Sequence, residues 1–112
     1  MTEKQADLVQ GTLEMLVLKT LALEPMHGYG ISVRIEQISD GAFCVNPGSL
    51  IPALTRMERA NHVRGEWRMT EKNRRAKFYV ITEEGRKALA SETEEWTRQI
   101  AAINRILGIL EA

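Results

Sequence analysis

The chain has 112 residues, 44% of them apolar and 27% charged, with 15 Lys and Arg balanced by 15 Asp and Glu. That length holds one hydrophobic core, or one core plus a long accessory helix, and with only 5% aromatic residues the core is made of Leu, Ile, Val, Met and Ala, which suits packed helices better than a β-sandwich. One cysteine makes no intramolecular disulfide, no basic segment leads into an apolar run with a small-residue cleavage site, and no window approaches ~18 uninterrupted apolar residues, so the expectation is a reduced, soluble, cytoplasmic protein without a membrane span.

The zero net charge is a sum of uneven parts. Residues 1–40 carry three basic and six acidic side chains, residues 41–61 two and one, residues 62–82 six and two, and residues 83–112 four and six. Arg64, Arg68, Lys72, Arg74, Arg75 and Lys77 thus crowd into one short stretch. Such a run is either a solvated loop or the electrostatic footprint of a phosphate partner, and the surrounding architecture decides which.

In chain order, the spacing of Val9, Leu13, Leu16, Val17 and Leu21 predicts a helix over residues 7–24 that Pro25 ends. His27-Gly28-Tyr29-Gly30 reads as a turn, followed by a second short helix marked by Ile31, Ile35 and Ile38 and stopped at Asp40-Gly41. A third helix follows Asn46-Pro47-Gly48-Ser49, with Leu50, Leu54 and Met57 on one face. Pro52 lacks an N–H and is best tolerated near a helix start, so the cap is expected at Gly48 or Ser49, and the helix ends near Ala60 with Asn61 as a left-handed terminator. The period then changes to two, predicting strands over residues 63–68 and 77–82 joined by a polar, basic loop over residues 69–76. Thr82 followed by Glu83 and Glu84 is an N-cap with acids in the first turn, opening a last helix that runs almost to the C-terminus.

That last helix carries the clearest long-range pattern. Leu89, Thr93, Trp96, Ile100, Ile103, Leu107 and Leu110 alternate in steps of four and three, a heptad seam widened by Ile106 and Ile109. The stripe either packs on the N-terminal helix of the same chain, as part of it is expected to, or reaches past it: a helix of ~25 residues is ~38 Å long, more than a core of this size covers, so the preferred reading is self-association, most simply a two-fold dimer. The dimer-interface residues expected from it are Leu89, Trp96, Ile100, Ile103, Leu107 and Leu110.

Three short helices, a basic two-stranded hairpin and a long helix define the expected fold class: mostly α with a small β-hairpin, a winged helix-turn-helix over residues 1–82 plus a C-terminal dimerisation helix over residues 83–112. In a winged helix the third helix enters the major groove and the hairpin touches the backbone or the adjacent minor groove of double-stranded DNA. No Gly-rich phosphate loop, nucleophile elbow or catalytic spacing of acids is found, and His27, His62 and Cys44 do not make a metal-ligand spacing, so neither an enzyme nor a cofactor is implied. The rival from another class is a winged-helix protein-interaction module whose basic wing grips an acidic partner.

The ordered motifs Gly11-Thr12-Leu13 with Leu16-Val17-Leu18, Pro25-Met26-His27-Gly28-Tyr29, Gly48-Ser49-Leu50 with Pro52-Ala53-Leu54, Arg56-Met57-Glu58, Trp67, and Arg74-Arg75-Ala76-Lys77-Phe78-Tyr79 with Thr82-Glu83-Glu84-Gly85 carry a resemblance. From residue 11 to about residue 110 the chain resembles the PadR family of bacterial transcriptional regulators, in the subgroup with one C-terminal helix in place of a separate domain. The resemblance implies a homodimer that binds an inverted-repeat operator. It also implies a repressor of nearby detoxification or transport genes, which in some members is released by phenolic or other aromatic compounds. One departure is Ile51, where the family commonly has Tyr.

The expected DNA-binding residues are Ser49, Ala53 and Arg56 on the outer face of the third helix and Lys72, Asn73, Arg74, Arg75 and Lys77 in the wing. Ser49 either caps the helix or donates to a phosphate. Arg56 either pairs with guanine or bridges to an acid such as Glu58 or Asp40, and Arg59 favours the helix dipole. Trp67 and Tyr79 read as packing anchors. Trp96 is either plain seam or, facing its symmetry mate, an aromatic slot for a small planar effector. Cys44 reads as a buried small hydrophobe, with a redox switch or an interchain bridge as the alternatives.

Overall fold

The structure, a computed structural model, describes residues 10–109. Among these residues the order is α1 (Gln10–Leu23), β1 (Met26–His27), α2 (Gly28–Ile38), α3 (Pro47–Arg59), β2 (Val63–Met69), β3 (Arg75–Ile81) and α4 (Glu83–Leu107). This is the expected fold class, with one addition: β1 pairs with β3, so the hairpin becomes a three-stranded antiparallel sheet in the order β1-β3-β2. The start of the first helix, with Val9, and the last seam residue, Leu110, lie outside the described residues.

Helix α1 is the hub. Leu13, Val17, Leu18 and Leu21 are buried on it, and α2, α3, α4 and β3 all pack around it. The buried polar side chain on it, Thr20, donates its hydroxyl to the Leu16 carbonyl at 2.9 Å, so that hydroxyl is not stranded. Ile31 and Ile35 of α2, Leu50, Ala53, Leu54 and Met57 of α3, and Val63 and Ile81 from the bases of β2 and β3 close the core.

The segment read as a turn at residues 27–30 is more regular than expected. Met26 and His27 pair with Tyr79 and Phe78 of β3, and α2 begins directly at Gly28. His27 joins the two elements. Its Nδ1 accepts a hydrogen bond from the Gly30 N–H at 3.0 Å, capping α2, while its ring meets the Phe78 ring edge-on at 5.1 Å.

Helix α3 starts earlier than Pro52 was expected to allow. Asn46 is the cap, its Oδ1 accepting from the Ser49 N–H at 3.0 Å, and Pro47 takes the first helical position. Pro52 then sits inside the helix, where its missing N–H leaves the Gly48 carbonyl without its helical donor. Both residues are exposed, so solvent meets that carbonyl and the helix continues. At the other end Asn61 adopts φ 63° as expected, and the His62 N–H returns to the Met57 carbonyl at 2.9 Å.

The wing strands are in register from Val63 opposite Ile81 to Met69 opposite Arg75, which shortens the expected loop to residues 70–74. Asn73 donates its N–H to the Thr70 carbonyl at 2.9 Å and takes φ 62°, and Thr70 donates to the Arg74 carbonyl at 2.7 Å. A turn closed by one left-handed residue is a standard short hairpin connection, so the basic tip has a defined shape.

Thr82 ends the wing and starts α4. Its side chain accepts from the Gly85 N–H at 3.0 Å and donates to the Asn61 carbonyl at 2.6 Å, while its own N–H donates to the His62 carbonyl at 3.1 Å. Gly85 is buried against this junction. A Cβ there would collide with the His62 carbonyl and the Ile81 side chain, so the first turn of α4 requires glycine for close approach.

Candidate nucleic-acid interface

The outward face of α3 is not the face read from the sequence. Ala53, expected at the surface with Ser49 and Arg56, is fully buried between Leu50 and Met57. Its position at i+3 from Leu50 and i−4 from Met57 puts it on the core stripe, where only a small side chain fits. Past its first two residues, Pro47 and Gly48, the exposed residues of α3 are Ser49, Ile51, Pro52, Thr55 and Arg59. With Asn46 as the cap, the Ser49 hydroxyl is not needed for that task. Arg56 is half-buried and its Nε donates to Glu14 Oε2 of α1 at 2.8 Å, so its acidic partner is neither Glu58 nor Asp40.

The cations of the basic stretch divide into two groups. Three cations along the strands are held by carboxylates: Arg64 and Arg68 both bond Glu66, at 3.0 and 2.7 Å, and Lys77 Nζ donates to Glu58 Oε1 of α3 at 3.0 Å. The two guanidinium groups, Arg68 foremost, hold the Glu66 carboxyl below the usual range, and the Glu58 hydrogen bond raises Lys77. The Lys77 bridge crosses directly over Gly65, where a Cβ would strike the lysine stem. At the tip the pattern reverses. Lys72, Arg74 and Arg75 are exposed, and among the described residues no carboxylate lies within ion-pair distance of them. Asn73 supplies the left-handed turn between them.

Tip and helix face each other across an open groove of about 880 Å³, lined by Ile51 of α3, by Lys72, Arg74 and Arg75 of the tip, and by Tyr29 at the start of α2. Tyr29 is 77% exposed and was missed as a site residue because its segment read as a turn. Its place in the first turn of a helix beside a basic tip is the signal that finds it. Tyr79, in contrast, packs on the core as expected, and burial raises its phenol above the usual tyrosine range. Trp67 does not: it is 59% exposed, with the Arg75 guanidinium 4.9 Å over its ring. By strand parity it shares the face of Val63, but β2 has by then run beyond the core.

Of the expected seam on α4, Leu89 packs on the core of its own chain, next to Ala88. Ile100 is half-buried, whereas Trp96, Ile103, Ile106, Leu107 and Ile109 are exposed. Glu92, between Leu89 and Trp96, has its Oε1 enclosed without a hydrogen-bond partner among the described residues. Burial raises its pKa most, the Glu14 carboxylate adds to the rise, and His62 opposes it. Cys44 is exposed and not buried as expected, with its Sγ 3.7 Å from Glu36 Oε1, because the segment between α2 and α3 runs over the surface. Among the described residues no group of His, Cys, Asp and Glu is placed to hold a metal ion, and no helix is long and apolar enough to cross a membrane.

Comparison with known proteins agrees with this geometry. Residues 17–91 match the transcriptional regulator PadR-like family. A 37.1 kDa protein of transposon TN4556 from Streptomyces fradiae is 41% identical over 85 residues, which make up 76% of this chain but 23% of that protein, so the chain spans under a quarter of that relative's length. A transcriptional regulator from Clostridium thermocellum superposes with a TM-score of 0.80 at 27% identity, over 89% of this chain and 97% of that one. A PadR family transcriptional regulator from Eggerthella lenta does so with a TM-score of 0.72 at 28% identity, over 88% and 83% of the two chains. The winged helix and the family match over most of its length lead to one assignment: this chain belongs to the PadR-like family of DNA-binding transcriptional regulators.

Proposed function

We propose that the protein is a homodimeric repressor that holds an inverted-repeat operator with α3 and the wing of each subunit. In this reading residues 1–82 carry the DNA and residues 83–112 the second subunit. The observation that carries it is the groove: three cations without carboxylate partners among the described residues stand on and beside a shaped turn, opposite the exposed face of a helix. A duplex laid there meets Lys72, Arg74 and Arg75 with its phosphates and the outer face of α3, including Ser49, with its base edges. Asn73 shapes the tip, Lys77 is kept by Glu58 as a strut between wing and helix, and Arg56 is kept by Glu14 as a brace behind α3. Ala53 supports the helix from inside and makes no contact with DNA.

The second subunit covers the apolar face of α4 around Trp96, Ile100, Ile103 and Leu107, and the seam continues to Leu110. Trp96 meets its symmetry mate there, and a small aromatic effector entering between the two indoles changes the angle between the DNA-reading units. Fluorescence of Trp96 in a Trp67→Phe background, titrated with planar aromatic compounds, tests that slot, and an unresponsive signal reduces Trp96 to plain seam.

The direct test is retardation of a fragment of the protein's own promoter. Binding is expected with Kd about 10 nM or tighter at physiological salt. If two subunits neutralise ~6 phosphates, log Kobs falls against log salt with a slope of about −5. Arg74→Ala with Arg75→Ala weakens binding; no retardation at low salt, or equal affinity for the double variant, overturns the reading.

A further inference from the structure

The exposed side of α3 has an unusual chemistry for a surface that faces DNA. Ile51 is 61% exposed although Leu50, Ala53, Leu54 and Met57 already fill the inner side of the helix, so burial within the fold does not account for it. Pro52 beside it has no N–H to offer. One turn on, Thr55 spends its hydroxyl proton on the Ile51 carbonyl at 3.1 Å, leaving no donor pointing outward. Ile51, Pro52 and Thr55 therefore form a donor-free, largely apolar strip on the exposed side of α3, and Ile51 lines the groove below the cationic tip.

We propose that this strip, with Ile51 at its centre, reads the C5-methyl group of a thymine at one symmetric position in each operator half-site. The assignment rests on the DNA-binding reading above. Base edges in the major groove offer one apolar feature, the thymine methyl, and the remaining features are hydrogen-bond donors and acceptors. A branched aliphatic side chain gains contact only from the methyl. Against cytosine it strips water from the N4 amino group and returns no acceptor, so thymine is favoured over cytosine at that position.

The experiment uses the full chain and an operator selected with it from random duplexes, in which thymines are replaced in symmetric pairs by deoxyuridine, which lacks only the methyl. One pair is expected to matter. Its replacement weakens binding about fourfold per half-site, the worth of one buried methyl, and so about fifteenfold for the dimer. Ile51→Ala, at an exposed position that leaves the fold intact by circular dichroism, is expected to bind thymine and deoxyuridine operators equally, and Ile51→Val to keep part of the discrimination. Tight binding indifferent to every thymine methyl, or full discrimination retained by Ile51→Ala, overturns this assignment alone. Failure of selection to retain any duplex overturns the DNA-binding reading beneath it.

Discussion

The wing tip and the far half of α4 are both exposed, and they are exposed at different cost. Lys72, Arg74 and Arg75 keep their hydration at the tip and leave the isolated chain nothing to correct. On α4 some charged residues are paired within the helix, as Arg98 is with Glu94 and Glu95 and Lys87 with Glu84, whereas Ile103, Ile106 and Leu107 stand in water. Each Å² of that apolar surface forgoes roughly 25 cal/mol. One surface is complete and waits for a charged ligand, while the other is incomplete until something apolar covers it.

Breaking the second surface has the larger consequence. Ile103→Asp is expected to give monomers in sedimentation, and since each half-site is then bound alone, operator affinity falls by about two orders of magnitude or more. An unchanged dimer places the interface elsewhere. Breaking the first surface leaves the dimer intact: with Arg74 and Arg75 replaced by Ala in both subunits, four of ~6 phosphate contacts go, and the salt slope flattens from about −5 to about −2. A slope that stays steep moves the phosphate contacts off the tip.

Smaller effects sharpen the contrast by testing what joins the two surfaces. Gly85→Ala forces a Cβ onto the His62 carbonyl and is expected to cost about 1–3 kcal/mol in denaturant unfolding. An unaltered midpoint shows that the junction yields. Glu92→Gln is the mildest. The raised pKa of Glu92 means that its neutral form suits the fold, so its stabilising contribution is full below the ordinary glutamate range and is lost as pH rises through the native value. The Gln variant is therefore expected to melt at most about 2 °C higher at pH 7 and to show no gain in acid. A lower melting temperature at pH 7 contradicts the unpartnered burial of that carboxylate.

Much of the fold could be read from periodicity, since the stripes of α1, α2 and α3 and the alternation of β3 report the sides that meet the core. What escaped had no period or had competing signals. Strand β1 is two residues long and shows no alternation. Asn46 and Ser49 are both good caps three residues apart, and Pro52 weighed wrongly in the choice because a proline on a wet helix face costs less than one in a packed helix. Ala53 was misplaced by its size, since the spacing from Leu50 to Met57 puts it inside. Trp67 has the parity of a core residue on a strand that outruns its core: four residues past Val63 is ~13 Å further along. At the site, charge identified the tip, but long-range partners such as Glu14 for Arg56 and Glu58 for Lys77 are properties of the packed chain.

The bonds of Thr82 set where this molecule can bend. Through its hydroxyl and its N–H the residue ties the first turn of α4 to Asn61 and His62, directly after α3, and Gly85 lets the two backbones touch. The end of α3, the proposed reading helix, and the base of α4 are thus fastened to one another, like a caliper arm with its jaw fixed. In the proposed dimer, any adjustment of the gap between two such jaws has to come from beyond Gly85, by flexing of α4 itself or by rolling of one arm on the other. In the proposed dimer, the half-site spacing is accordingly set by α4, a helix to which the proposal gives no part in reading the bases.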